Sequence, residues 1–489
     1  MLYFCCMRYK LYFLILLVFI IVQVKAQEKW SLQKCIVYGI QNNFNVRQAV
    51  IQTGYSDIQL KQDKLSQIPS LNLNNNYSMS FGRRENPTTG IFEDQKFFNT
   101  SFGMQSSVSI FNWFSKRNII EADKLETLAS RAFVEKQKND VALLIAVNYL
   151  QVLLNMEQGK IVGVQLQQSK AQLVNTRKLV DAGSLPELNA AELEAQVARD
   201  SSSYIAAKGN VQQSLLNLKA SLNLDAAEPF DIETPPVDKI PVDDIASLQP
   251  DVVYTTALAN LPQQQYNIYK YNAGEKNRDA AKGAMKPGVG AFGGLNTNYI
   301  YFRTPIPERV ITGTFANTGL IVNTTTGTFN VVQPEFRLTG NKSGYITPNN
   351  FFKQFGDNFG QNIGIGLSVP IFNGGALRSN YERSKLNLKN LELIKTQDNL
   401  KLKQDIYQAY NNAIVALEKY NASKKSVGAA ERSYSFAQKR YDVGMLSTYD
   451  LLTIQNNLFR ANLESTANQF DYVFKMKVLE FYKGQGLKL

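Results

Sequence analysis

No histidine occurs anywhere in this chain. Acid–base and metal chemistry near neutral pH would therefore lack their commonest side chain. Three cysteines are present. Cys5 and Cys6 precede an apolar run, Leu11 to Val22, that reads with Arg8 and Lys10 before it and Val24-Lys25-Ala26 after it as a secretory signal peptide over 1–26. The run is shorter than the ~20 residues of a spanning helix. Removal of the leader takes three basic residues (Arg8, Lys10, Lys25) and lowers the formal charge from +12 to +9. It leaves Cys35 as the single thiol, so a disulfide framework within the chain is impossible. Cys35 lies on an apolar helical face and reads as a small core residue. There is no glycine-rich phosphate loop and no nucleophile elbow. Basic and acidic residues interleave (Lys395-Thr396-Gln397-Asp398, Lys403-Gln404-Asp405), as on a solvated face rather than a nucleic-acid footprint. The expectation is a protein that is not an enzyme, with no cofactor, no metal and no nucleic-acid partner. The residue patterns that remain are conformational: Asp181-Ala182-Gly183-Ser184-Leu185 and Asp442-Val443-Gly444-Met445-Leu446, each centred on a glycine suited to ending a helix in a left-handed turn.

Those two motifs lie 261 residues apart, counted from Gly183 to Gly444, and the same offset relates Ile110-Phe111-Asn112 to Ile371-Phe372-Asn373. It also pairs Arg117 with Arg378, Glu121 with Glu382, Lys124 with Lys385, Tyr149 with Tyr410, Arg199 with Arg460 and Leu218 with Leu479. A constant offset over this length implies duplication of a whole supersecondary unit. Around the glycines, Lys116 to Val180 and Ala376 to Val443 carry helical periodicity without proline, each long enough for about 100 Å of helix. Shorter partners, Glu192 to Leu222 and Tyr449 to Tyr482, follow the turns. Each pair is a helical hairpin with a defined tip, and runs of this length imply a helical array rather than a compact domain. Ser31 and Ser247 read as N-caps of helices that open the two halves. The offset between them is 216, so the second half carries about 45 extra residues before its hairpin. The proline- and acid-rich stretch 226–246 reads as a linker between a first repeat over 27–225 and a second over 247–489.

Each half also carries two stretches of period two. Leu71, Leu73, Tyr77, Met79 and Phe81 alternate with Asn72, Asn74, Asn76, Ser78 and Ser80; Phe98, Phe102, Met104, Val108 and Ile110 alternate with small polar residues. Ile363, Ile365, Leu367 and Val369 do the same, and Val289 to Tyr301 is a weaker case. An ordinary antiparallel sheet with one wet face shows this alternation too. The export signal and the small Gly, Ser and Asn polar face favour a transmembrane barrel. Four strands cannot close, and an open edge is not tolerated in hydrocarbon, so a barrel would be shared between subunits. The insertion 303–357, rich in Thr, Asn and Gly, is expected as a long external loop.

With these motifs in hand, the chain resembles the TolC-like outer-membrane factor family over essentially its whole mature length. The likeness rests on Ile371-Phe372-Asn373-Gly374-Gly375 and Tyr441-Asp442-Val443-Gly444, repeated as Ile110-Phe111-Asn112 and Asp181-Ala182-Gly183. It implies a mainly α fold with β: long helical hairpins forming a periplasmic tunnel, and four strands per protomer in a twelve-stranded barrel shared by a homotrimer in the outer membrane of a Gram-negative bacterium. The linker 226–246 would fall in the equatorial girdle. The implied function is the outer-membrane channel of a tripartite efflux or type I secretion system, a passive conduit working with a periplasmic adaptor and an inner-membrane transporter. The tips Gly183, Ser184, Leu185, Pro186 and Gly444, Met445, Leu446, Ser447 would meet the adaptor. Tyr441 and Asp450 match family gate positions. This chain departs from the family pattern at Thr453, Leu446 and Asn189, so a charged clasp would give way to a neutral Tyr441–Asn189 hydrogen bond and a gate held more by packing. The alternative is a periplasmic coiled-coil scaffold or surface adhesin without a pore, which explains the helices and leaves the strands idle.

Overall fold

The computed structural model describes residues 29–85, 92–237 and 240–484. The leader expected over 1–26 lies outside the described residues. The chain divides into two compact units, residues 61–120 with 278–382 forming one and the remainder the other.

The larger unit is helical. Its opening helix α1 (Leu32–Asn42) is capped by Ser31, whose Oγ accepts from Lys34 N at 3.3 Å. Helix α2 (Phe44–Leu65) follows after Asn43, which is extended and accepts from Asn45 N. Two hairpins come next in their halves: α3 (Ser115–Asp181) with α4 (Glu187–Leu222), and α8 (Ala376–Asp442) with α9 (Thr448–Tyr482). Helices α3 and α8 are each 67 residues long. The second half opens with α5 (Pro250–Asn260) and α6 (Pro262–Ala284). Ser247 does not cap the second opening helix. It ends a short 3₁₀ turn, Ile245–Ser247, capped by Asp244, and α5 begins later because Pro250 has its fixed φ and lacks the N–H a first-turn residue need not donate. Pro262 divides the expected single helix into two.

The offset of 261 reappears in the packing. Val141, Ile145, Val152 and Leu218 lie in one apolar cluster, and their counterparts Leu402, Ile406, Ala413 and Leu479 lie in a second. Ile145, Ile406, Leu218 and Leu479 are all fully buried. Cys35 is in the first cluster at 0 % exposure, and burial raises its thiol to about 12. Gly39 of α1 is there because a Cβ would lie 2.2 Å from Ile145 Cδ1. The linker joins this core: Ile232 is fully buried and bridges to Trp30, and the Tyr149 hydroxyl donates to Trp30 O and Glu233 O at 3.2 and 2.8 Å.

The smaller unit holds β1 (Ser70–Glu85), β2 (Phe92–Phe111), β3 (Gly288–Phe302) and β6 (Gly360–Ser368) in one antiparallel sheet, ordered β1-β2-β3-β6. The register sets Leu73 beside Met104 and Leu295, and Ala291 beside Ile365, so the apolar sets of all four strands share one face. Asn74, Gly103 and Asn296 line the other. The expectation of a loop over 303–357 is corrected. The segment forms a second sheet of two long strands, β4 (Thr304–Thr324) and β5 (Gly327–Ile346), joined by a two-residue turn, then a two-turn helix α7 (Phe351–Asp357). Its Thr-rich composition suits strands, and Gly313 and Gly319, both left-handed, sit at two of the four register shifts along β4.

One joint differs between the halves. Asn373-Gly374-Gly375 turns from β6 into α8 with φ of 67° and 78° at the glycines, and the equivalent Asn112-Trp113-Phe114 holds 50° and 62° at two aromatic residues. The aromatics are kept there by Phe111, whose ring lies 5.5 and 5.8 Å from theirs, and by Lys286 Nζ 4.3 Å from the Trp113 ring.

Candidate functional site

The two hairpin tips lie in the helical unit. At the first, Ser184 N donates to Leu179 O and Gly183 N to Val180 O, at 2.8 and 2.9 Å. At the second, Met445 N donates to Arg440 O and Gly444 N to Tyr441 O, again at 2.8 and 2.9 Å. This paired closure needs a left-handed residue, and Gly183 and Gly444 hold φ of 72° and 78°. Past the second turn, Ser447 Oγ accepts from Asp450 N at 3.1 Å and donates to the Asp450 carboxylate at 2.7 Å. The carboxylate is thus placed at the positive end of α9. Pro186 occupies the matching position in the first half without a side-chain bond.

Between the tips is a cavity of about 370 Å³ bordered by Thr176, Leu185, Asn189, Tyr441, Leu446 and Thr448 among others. The structure corrects the expected Tyr441–Asn189 hydrogen bond. Asn189 Nδ2 donates instead to Thr448 Oγ1 at 2.9 Å, and Thr448 Oγ1 lies 3.5 Å from the Tyr441 hydroxyl. The Tyr441 hydroxyl is in turn 3.3 Å from Thr176 Oγ1. Thr448 and Thr176 are each 3 % exposed. A threonine hydroxyl can accept from one side and donate to the other, so the four groups form a chain Asn189–Thr448–Tyr441–Thr176 that ties both hairpins together. Thr448 is the joint that reasoning from sequence missed. Its only signal was a small polar residue directly after a helix cap.

Met445 is 72 % exposed at the second tip, and Leu185 and Leu446 are half-buried against the cavity. Arg177 bonds Glu187 and Glu194 of α4, which raises its already high pKa. Deeper along the same helices is a second polar layer: Ser169 Oγ donates to the Asp200 carboxylate at 2.5 Å, and Gln196 Nε2 donates to its other oxygen at 2.8 Å. Nearby in sequence on α9, Gln455 is 2 % exposed and neither of its amide atoms has a hydrogen-bond partner. Among the described residues no group of His, Cys, Asp and Glu is arranged to hold a metal ion. The arrangement ties the ends of the two hairpins together through side-chain hydroxyls and an amide.

The family model for outer membrane efflux proteins matches residues 39–224 and 332–473. The chain belongs to that family. It is an outer-membrane protein. Similar sequences include the outer membrane protein TolC of Escherichia coli, 26 % identical over 117 residues, and the outer membrane efflux protein BepC of Brucella suis, 20 % identical over 375 residues. The TolC alignment spans 24 % of each chain; the BepC alignment spans 76 % of this chain and 69 % of BepC. Solved structures with the same fold include CusC (TM-score 0.73, 15 % identity, 94 % of this chain and 95 % of that one). The CmeC outer membrane channel of Campylobacter jejuni is another, with TM-score 0.69, 18 % identity and coverage of 94 % and 86 %. The efflux-family fold of helical hairpins plus a β part is therefore shown. Within it the structure brings Tyr441 and Asn189 to one hydroxyl chain and leaves Asp450 exposed beside Ser447.

Proposed function

We propose that this chain forms a passive trimeric conduit from periplasm to exterior, gated at the hairpin tips, in a tripartite efflux or type I secretion system. The carrying observation is the four-stranded sheet. Its outer strands β1 and β6 are unpaired on one side, and its apolar face is bare: Leu71, Leu73, Tyr77, Met79 and Phe81 are 62–70 % exposed, and Ile363 is 94 % exposed. Such a sheet suits neither water nor, alone, a bilayer. Its even strand number lets β6 of one copy pair antiparallel with β1 of the next. Two copies would reach eight strands, but an interior that narrow is filled by side chains, and here the polar face is mostly Gly, Ser and Asn, with Phe292 among them. Three copies leave an open lumen, as the family resemblance also implies. In this reading 27–225 and 247–489 are two copies of one unit, 226–246 lies in a girdle around the tunnel, and the tips meet a periplasmic adaptor bound to an inner-membrane transporter. The BepC and CmeC names, an efflux protein and an outer membrane channel, support the same assignment. The scaffold alternative gives the bare sheet nothing to do.

Three Asp450 carboxylates around a closed tip would form a ring that attracts cations. The test is single-channel conductance of the detergent-extracted protein in a planar bilayer, with Asp450→Ala alongside. A small cation-preferring current that grows or loses selectivity in the variant is expected. A pore indifferent to the change would discard the gate assignment, and silence from both would discard the conduit.

A further inference from the structure

The strands at the two edges of the sheet are unequal. β1 has 16 residues and β6 has 9. β6 accompanies β3 from Ser368 only to Gly360, opposite Asn296, whereas β3 continues to Phe302 with β2 on its other side. Helix α7 takes over that abandoned edge. Gln354 Oε1 accepts from Ile300 N and its Nε2 donates to Ile300 O, both at 3.0 Å; Asn358 Nδ2 donates to Asn298 O at 2.8 Å. Thr297 Oγ1 donates to Phe355 O at 2.8 Å. Side-chain amides thus do for β3 what a longer β6 would have done. On the apolar face, Phe351 lies 5.2 Å from Tyr299 and Phe355 lies 5.6 Å from Phe102. The other flank of α7 presents Phe352, 83 % exposed.

A nine-residue strand can pair with at most nine of the sixteen residues of β1, so at least seven at its far end meet no strand of a neighbour. Met79 and Phe81 stand there, 62 % and 66 % exposed. The mismatch and α7 fall at the same end of the sheet, since α7 directly precedes β6. We propose that α7 of one copy packs through Phe352 against the far end of β1 of the next copy, closing a seam that the short β6 leaves open. The proposal rests on the shared-barrel reading, and the occupant of the α7 flank is a second copy of this chain.

Cysteine cross-linking in the intact protein separates the two. Cys35 is buried, so introduced thiols report cleanly. One set combines Phe352→Cys with Met79→Cys or Phe81→Cys; the reference set combines Ile365→Cys or Ile363→Cys with Leu71→Cys or Leu73→Cys across the β6–β1 junction. Oxidation is expected to give covalently joined copies from both sets. Links through the reference set without any through Phe352 would overturn the proposal, keep the shared barrel and assign the α7 flank to lipid. Absence of links from either set would overturn both.

Discussion

Replacing Thr448 by valine keeps the shape at the first turn of α9 and deletes the hydroxyl between the two hairpins. Asn189 then loses its acceptor at 2.9 Å, and Tyr441 loses a neighbour at 3.5 Å. Leaving a donor unsatisfied costs about 1–3 kcal/mol when water cannot reach it. Asn189 borders a cavity of about 370 Å³ and is half-buried, so water can serve its amide and the low end applies. About 1 kcal/mol corresponds to roughly fivefold in the equilibrium for opening the tips. Hydrogen exchange read on peptides covering 176–193 and 441–455 measures this opening directly. Thr448→Val should speed exchange in both windows together, because the lost bond joins them. Adding Asn189→Leu removes the stranded amide and should restore part of the protection, a non-additivity confined to groups in contact. Exchange in Thr448→Val within about twofold of wild type, below the effect of one such bond, would refute the view that the hydroxyl chain holds the tips. So would acceleration at one tip alone.

Three further outcomes follow from the same geometry. Gly183→Ala and Gly444→Ala each place a Cβ in open space at φ near +75°, so the cost is backbone alone, about 1–2 kcal/mol; asparagine at either site should cost less, and exchange at the tips ranks the three. At the first strand-to-helix joint, Trp113→Gly should leave the protein more thermally stable than Trp113→Ala by on the order of 1 kcal/mol, because only glycine accepts φ of 50° freely; equal melting temperatures would remove the strain argument. The Cys35 thiol is raised by burial from 9.0 to about 12, and the Tyr149, Tyr434, Tyr472 and Tyr482 hydroxyls are raised chiefly by burial too. Each folded group holds its proton longer than the unfolded one, so stability is complete below about pH 9 and is lost as pH climbs toward 12; a melting temperature flat from pH 8 to 11 would contradict this.

The long helices were legible because their periodicity runs for dozens of residues. The ends of α3 and α8 fall within a residue of where the pattern stops, and the 261-residue offset carries through to which side chains are buried, as Ile145 and Ile406 show. The sheet strands were legible from period two. What escaped was set by tertiary neighbours. Asn43 and Pro262 divide the opening helices at points where the periodic pattern runs on. Ser247 ends a 3₁₀ turn that Asp244 caps, and the helix starts only at Pro250, behind Gln249. The 303–357 segment read as a loop because threonine and asparagine are common to loops and strands alike, and four register shifts break the alternation along its strands. At the tips, Tyr441 and Asn189 were identified but joined directly; the buried threonine between them carries no motif of its own.

The unequal joints at the ends of β2 and β6 give the two hairpins different freedom. Where α8 departs from the sheet, Gly374 and Gly375 have nothing within 4 Å of a would-be side chain, so this joint behaves as a loose pivot. Where α3 departs, Trp113 and Phe114 wedge against Phe111 and Lys286, and the backbone of Trp113 closes on Gly283. That joint behaves as a stiff bracket. The same left-handed turn is thus held in two ways: by packed aromatic side chains in the first half, and by the backbone freedom of glycine alone in the second.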